Sequence, residues 1–527
     1  MNPQPRMKTG YLLIGFAAAN AVLYSALLPL WEGFDEPFHF GYVQRLANGR
    51  GLPDVRTERL SREVAVSILR APASQGVKAN LPQVVAYSEF FSWPSERRAQ
   101  VQRSLREIPP EYRWQSSEFQ NYEAHQAPLA YILLAVPERT LAAMPLPSRV
   151  LILRILAALA GSLLLYAGGS SLCSQLGLGE PYRSIALFCV LATQMTWATL
   201  AHIANDWLAA PLAIWTLVFL IRCAAAPTTT ARIAAASLVL CAGLLTKAYF
   251  LALVPVLLGI CAFRRGLRGL AVSAAILAIC AGPWYVRAHR LYGDVTGMPQ
   301  ARAGIGVSAI LHAAPTMNWP KVVLDSVRLA LWTANNTFRT FSMATLNIVI
   351  VACVASLLLW AFSRHTLAER VIAAYCAAFL LALFYAGIET NIYTRGAATT
   401  PSAWYAQVLV TPMLVLSLLG AARRRRAGLV LAALLPLLFG YVLVVTYVFK
   451  LIPLYAGYEG RGSLRDIATL YRSHFNALSA NLGSVALGSV PIVFGLTAVV
   501  IVLILVQEVL LIRVLFVKQP LNNNPLP

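Results

Sequence analysis

Two adjacent carboxylates, Asp35 and Glu36, are followed by an imidazole at His39 within the string Trp31-Glu32-Gly33-Phe34-Asp35-Glu36-Pro37-Phe38-His39-Phe40-Gly41-Tyr42. The string comes directly after the apolar stretch 10–31, and its aromatic residues would hold it at a membrane interface. A carboxylate placed there can take the proton of a hydroxyl that is about to act as a nucleophile. Asp35 also has a plainer use. On a helix begun at Pro37 it falls near the N-cap, where a carboxylate satisfies backbone N–H groups and meets the positive end of the helix dipole. On that helix His39, Tyr42 and Val43 would share one face.

Other ionisable groups stand beside apolar stretches further along the chain. They are His125 within Tyr122-Glu123-Ala124-His125-Gln126-Ala127-Pro128, then His202 with Asn205-Asp206, Thr246-Lys247, Trp284-Tyr285-Val286-Arg287, Tyr292-Gly293-Asp294, and finally Glu389 and Arg395. At membrane depth such a group costs about 2.5–3.5 kcal/mol even on the lenient insertion scale, which makes each a functional candidate. Each also has a bland reading, as a snorkelling lysine, an interfacial anchor or a helix cap. That so many fall on one side of the membrane favours a shared purpose.

The side follows from the elements that must carry these residues. Of 527 residues 58% are hydrophobic and 12% charged, which excludes an ordinary soluble domain. Further apolar spans are expected near 148–172, 185–204, 206–221, 233–246, 248–263, 269–286, 344–363, 370–388, 404–421, 427–449 and 486–512. With the first, which reads as an uncleaved signal anchor, they make about twelve transmembrane helices in an all-α polytopic membrane protein. The stretch 128–137 is too short and reads as juxtamembrane or re-entrant. Arg183, Arg222, Arg232, Arg264, Arg265, Arg268, Arg364, Arg370, the Arg423 to Arg426 run and Lys518 then all face the cytoplasm, as the bias of basic residues requires. Both termini are expected inside and the candidate residues outside. The division expected is 1–31 for the first helix, 32–147 for a large extracytoplasmic loop with juxtamembrane helices, 148–343 for a transmembrane module with an outer loop, and 344–527 for a C-terminal transmembrane module.

The net charge of +21 does not signal a nucleic-acid partner. The segment from Glu32 to Glu123 holds 12 acids and 12 Lys/Arg, leaving 31 basic residues against 10 acids beside the apolar stretches. The eight cysteines lie in or next to those stretches with no C-x-x-C pair, against a disulfide framework or a cysteine metal site. No GxxxxGK[ST] loop for a nucleotide phosphate occurs. Asn335-Asn336-Thr337 matches a glycosylation sequon and reads as coincidence.

Taken in order, these motifs resemble the GT-C class of integral membrane glycosyltransferases. Phe34-Asp35-Glu36-Pro37-Phe38-His39-Phe40-Gly41-Tyr42, with Arg45-Leu46-Ala47-Asn48-Gly49 and Leu52-Pro53 after it, looks like the acidic first-loop motif of protein O-mannosyltransferases and the lipid A aminoarabinose transferase. His125-Gln126-Ala127-Pro128-Leu129-Ala130-Tyr131 is similar to the K/H-x-P-P-L-x-Y segment, with Ala127 in place of the first proline. Asn205-Asp206 resembles the second acidic position, Leu244-Leu245-Thr246-Lys247 the "L-T-K" element, and Trp284-Tyr285-Val286-Arg287 through Asp294 the "W-Y-x-R-N-x-x-x-Y-G-D" turn. The likeness covers about residues 10 to 300 and fades beyond, where Arg395-Gly396 and Trp404-Tyr405 only loosely echo the C-terminal "G-R-Y" element.

The resemblance implies transfer of a sugar, with inversion, from a polyprenyl-phosphate donor to an acceptor hydroxyl on the extracytoplasmic face, in a setting such as the bacterial inner membrane. The base would be Asp35, with Glu36 the alternative. Lys247 and Arg287, with Arg395 third, would hold the leaving phosphate. His39, His125, His202 and Asp206 would orient sugar or acceptor. The partners implied are the lipid-linked donor, membrane lipids and an acceptor that no motif identifies. Asp35, Glu36, Asp206 and the histidines offer ligands for a divalent metal, but no single stretch has a binding spacing, so the sequence leaves a metal open. The competing reading is a secondary transporter or lipid flippase, which would place its costly polar residues near the membrane midplane. A polysaccharide ligase or polymerase would share the donor but carry its large outer loop late in the chain.

Overall fold

The computed structural model describes residues 5–298, 303–339, 341–398, 400, 402–458 and 463–517. Lys518 lies outside the described residues. Apart from a two-stranded antiparallel sheet, Arg59–Ser61 with Ser116–Gln120, the regular elements described are helical. Among the described residues nine helices are long and apolar enough to cross a membrane: Thr9–Leu27, Leu146–Gln175, Asp206–Ala224, Ala248–Cys280, Met343–Ala361, Leu367–Tyr393, Trp404–Ala422, Arg426–Tyr455 and Val490–Val517. Two shorter apolar helices, Tyr182–Ala192 and Thr230–Leu244, join them.

The longest of the nine does not run straight. Gly266 takes φ 58 and ψ −149, outside helical geometry. A Cβ on Gly269 would meet the carbonyl oxygen of Cys261 at 2.6 Å, so the chain folds back on itself there. Gly266 is the residue type that permits the reversal, since a side chain would resist its positive φ. A count of twelve spans requires taking both arms of this fold-back and both shorter helices as separate crossings. The span expected at 185–204 is in fact broken: Tyr182–Ala192 stops at Thr193, and Gln194–Leu200 follows as a second, wholly buried helix.

The segment after the first span folds as expected into juxtamembrane elements. Glu36–Ala47 begins with Pro37 in its first turn, where the fixed φ suits a helix and the missing N–H is not needed. It is buried nearly all round, not along the single face expected, because it packs against Leu129–Thr140 while being covered by the sheet. Leu129–Thr140 has 12 residues, about 18 Å at 1.5 Å per residue, and so is too short to cross a core of about 30 Å.

Buried charges fasten this layer to the spans. Arg149, near the start of Leu146–Gln175, ion-pairs with both Glu63 and Glu138. Arg113 reaches Glu138 at 2.9 Å, and the Gln44 amide donates to Glu63 at 2.6 Å. One turn deeper, the Arg154 guanidinium ion-pairs with Glu36 and donates to the carbonyls of Leu28 and Pro29, each at 2.9 Å. Removing one member of a fully buried pair strands the other charge, at a cost of about 3–5 kcal/mol. Arg154→Met should therefore lower the thermal midpoint of the detergent-purified protein sharply, and Arg154→Met with Glu36→Leu should regain part of the loss. An unchanged midpoint in the single variant would mean that Glu36 does not depend on Arg154.

Candidate active site

Asp35 occupies the cap position of Glu36–Ala47, but not as a capping side chain. Its backbone is left-handed, φ 52 and ψ 17, and its carboxylate makes no cap bond. The backbone carbonyl takes the N–H groups of Phe38 and His39 at 3.0 and 3.2 Å, leaving the carboxylate free to turn away. It accepts instead from the Tyr122 hydroxyl at 2.5 Å. A capping role for this carboxylate is thus set aside, because the backbone conformation points it toward the loop 122–126.

Glu36 goes the other way. Both its oxygens are taken by Arg154, and Oε1 also accepts from the Ile203 N–H at 3.0 Å. It is wholly buried, and its role in the structure is to fasten the loop. Of the two adjacent carboxylates, only Asp35 is partly exposed.

Around Asp35 the chain gathers most of the residues singled out from sequence. The Leu129 N–H donates to the Leu245 carbonyl at 2.8 Å, which sets the loop 122–128 against the end of Thr230–Leu244 that carries Lys247. Lys247 ion-pairs with Asp206 at the start of Asp206–Ala224, both nearly buried, and its ammonium lies 4.7 Å from the ring centre of Tyr405 and 5.7 Å from that of Tyr249. Asn205 donates to the Gln126 side chain and the Thr246 carbonyl, each at 3.1 Å. Gln126 in turn donates to Glu123 at 3.0 Å. His39 shares a hydrogen bond of 2.8 Å with the Tyr131 hydroxyl and stands 3.9 Å from Glu123. His125 is held by the Tyr122 carbonyl at 2.7 Å and by the Met298 sulfur at 3.1 Å. His202 is buried edge-on to Phe34, and a Cβ on Gly33 would come within 2.5 Å of its own Cβ, so only glycine lets the two segments pass.

Two predicted residues sit apart. Arg287 donates to the Pro53 carbonyl at 2.7 Å, and it bears electrostatically on Tyr42, which stacks on Tyr131 with ring centres 4.2 Å apart. It therefore borders the cluster through two aromatic rings. Arg395 is exposed with φ 52 in the loop after Leu367–Tyr393, and no hydrogen bond or ion pair joins it to the cluster among the described residues. Sequence reasoning passed over Tyr122 and Glu123 as site residues, although both fall in the string that contains His125. It passed over Arg154 too, whose signal was plain: a cation inside an apolar span.

Among the described residues, no three His, Cys, Asp or Glu side chains are grouped so as to hold a metal ion.

The electrostatics follow from three carboxylates, Asp35, Glu123 and Asp206, facing one ammonium. Burial raises the pKa of Asp35, Asp206 adds to the rise, and the Tyr122 hydrogen bond and Lys247 oppose it. Burial and the charge on Asp35 push Glu123 up to about 8. Burial holds His39 well below the usual imidazole value, with His202, Lys247 and His125 acting in the same direction. His202 is lowered by burial against the pull of Glu36 and Asp206. His39 and His202 are therefore neutral at neutral pH, while Glu123 keeps its proton there.

Five buried polar atoms without a protein hydrogen-bond partner lie on residues in or beside this cluster: both ring nitrogens of His202, Asn205 Oδ1, Tyr42 Oη and Trp207 Nε1.

No family model matches the chain, and no curated protein matches it. Two solved structures are similar to it. The crystal structure of ArnT from Cupriavidus metallidurans bound to undecaprenyl phosphate matches over 84% of this chain and 75% of that one, at 14% identity and a TM-score of 0.41. The apo structure of the same ArnT matches over 80% and 72%, at 13% identity and 0.40. At such values the site must be read from its own residues.

The raised Glu123 gives a sign for stability against pH. Between its ordinary value of 4.5 and about 8 the folded chain keeps a proton that the unfolded chain has released. Folding therefore binds a proton in that window, and stability falls as pH rises through it. Above about 6.5, where the buried His39 and His202 are neutral in both states, thermal midpoints should decline toward pH 8, and Glu123→Gln should flatten the decline. A slope equal to wild type in that variant would place the proton on another group.

Proposed function

We propose that this protein is a membrane glycosyltransferase of the GT-C type, transferring a sugar from a polyprenyl-phosphate donor to an acceptor hydroxyl. The observation that carries the reading is Asp35: a partly exposed carboxylate of raised pKa, held by Tyr122 and set beside a lysine at the ends of membrane-spanning helices. A base works best when its pKa approaches the working pH, and burial moves Asp35 that way.

In the proposed step the acceptor hydroxyl gives its proton to an Asp35 oxygen as its own oxygen bonds to the anomeric carbon. The bond from that carbon to the lipid phosphate breaks, and the phosphate leaves with the electron pair. Attack opposite the leaving group inverts the anomeric centre. Lys247 is the cation proposed to meet the growing negative charge, and Arg287 to hold the phosphate from the far side of Tyr42 and Tyr131. The unsatisfied atoms of His202 and Asn205, with His39, His125 and Asp206, are proposed to receive hydroxyls of sugar and acceptor. The proposed topology puts both termini in the cytoplasm and this site outside. The position of the charged cluster at helix ends supports an enzyme over a transporter, whose costly polar groups would sit at the midplane.

Purified protein incubated with a panel of polyprenyl-phosphate sugars, with and without chelator, should consume one of them. Asp35→Asn should abolish transfer, by at least the 100-fold or so that a general base contributes, with insertion and thermal midpoint kept. Wild-type transfer by that variant would remove Asp35 as base. Lys247→Ala and Arg287→Ala should weaken donor use, and unchanged binding of polyprenyl phosphate by the double variant would end the clamp role. Consumption of no donor, together with solute flux in liposomes, would favour a transporter.

A further inference from the structure

The helices that carry Asp206 and Lys247 at one end carry only arginines at the other. Arg222 lies in the last turn of Asp206–Ala224, and Arg232 in the first turn of Thr230–Leu244. Arg264, Arg265 and Arg268 surround the fold-back at Gly266. The contacts bring these three places together. Arg265 donates to Thr230 Oγ1 at 3.5 Å, and Arg232 and Arg264 both lie within electrostatic reach of Cys223.

Between the two helix ends is an open groove of about 500 Å³, with Arg222 and Arg232 exposed along it. Arg222 and Arg232 supply its charge, and Phe219, Ala225, Ala231 and Ala235 its apolar floor. The Arg222 guanidinium lies 5.3 Å from the centre of the Phe219 ring, and Arg232 is braced by the Pro227 carbonyl at 2.9 Å. Arg264 Nε is buried with no partner. No Asp or Glu occurs anywhere from 207 to 293, and among the described residues no ion pair reaches any of the five arginines. Cations therefore gather here with no carboxylate paired to them among the described residues.

We propose that this groove binds the phosphate of an anionic phospholipid headgroup, in the leaflet opposite the candidate active site. Guanidinium groups pair with phosphate oxygens through parallel N–H donors, and basic pockets between helix ends suit lipid headgroups. The same chemistry would serve a free phosphate, but the surroundings favour a lipid. Phe263 and Leu267, beside the fold-back, are 80% and 82% exposed, and such bare side chains find their solvent in acyl chains. The alanine and phenylalanine floor suits a glycerol backbone better than water.

The test uses the full chain, delipidated in neutral detergent, with bound lipid counted by native mass spectrometry. Phosphatidylglycerol should be retained roughly tenfold or more over phosphatidylcholine, and Arg222→Gln with Arg232→Gln should bring it down to the phosphatidylcholine level. Arg364→Gln, in another turn between helices, should leave retention unchanged. Equal retention of the two lipids by wild type would overturn the proposal without recourse to any variant, as would unchanged retention in the folded double variant. Displacement of the lipid by millimolar inorganic phosphate would assign the groove to a free anion and overturn the lipid assignment. The readout requires no sugar transfer, so this inference and the enzyme reading fail separately.

Discussion

Arg154 connects three pieces of chain at one point. Its guanidinium donates to the Leu28 and Pro29 carbonyls, where the first membrane helix has ended and its backbone acceptors need partners. The remaining donors go to Glu36, whose Oε1 also receives the N–H of Ile203. Exit from the first span, entry to the juxtamembrane helix and the approach to Asp206 are thereby fixed around one ion pair with no exposure to solvent. Burying two charges is costly and a pair of this kind adds little net stability, so its value is geometric. With Glu36 committed inward, Asp35 is free to face the other way. Adjacent carboxylates with opposite fates are the product of that one contact.

The geometry is held under strain. Trp31 and Asp35 both have positive φ, as do Ala334, Asn335 and Phe338 in a segment some 300 residues later. Left-handed backbone at residues other than glycine costs of order 1 kcal/mol or more each and persists where the surroundings over-determine it. Here the two strained segments brace one another. The Asn336 N–H donates to the Glu32 carbonyl at 3.1 Å and its side chain to that of Gly33 at 3.0 Å, while Phe34 packs on Phe338 and Trp404. Asn335 is wholly buried between the hydroxyls of Tyr24 and Tyr455. Its sequon is a coincidence of spelling, since the residue is a structural crosspiece that a glycan could not reach.

How much of this could be read in the sequence depends on the range of the interaction. The all-helical membrane architecture follows from apolar runs, which are local, and the structure bears it out. The fold-back at Gly266 was legible as well, because Arg264, Arg265 and Arg268 interrupt an apolar stretch too long for one span. The placing of Asp206 beside Lys247 was reachable only as a statement about one end of a bundle. The partition between Asp35 and Glu36 was not legible, because it depends on Arg154, more than a hundred residues away. Nor was the left-handed backbone at Asp35: an aspartate before Glu-Pro at a helix start reads as a capping side chain, and tertiary contacts overrode that local preference. Tyr122 and Glu123 were in view but undistinguished, since what gives them meaning is their proximity to Asp35.

The excess of +21 acquires a structural sense from the two ends of the central helices. At the Asp206–Lys247 end one ammonium is paired with Asp206 at contact distance, with the carboxyl groups of Asp35 and Glu123 close enough to act on its field. Charges of that kind can move a proton or steady a leaving group because each is already held by the other. At the Gly266 end five arginines stand without a carboxylate, so their field is not cancelled inside the protein and must be met by whatever lies outside. The same helices thus present a site of mixed charge, rich in carboxyl groups, on one side and a purely cationic one on the other. A net charge carried in this way is a property of how the protein sits in its membrane, and it leaves the chemistry of the opposite end free of a competing field.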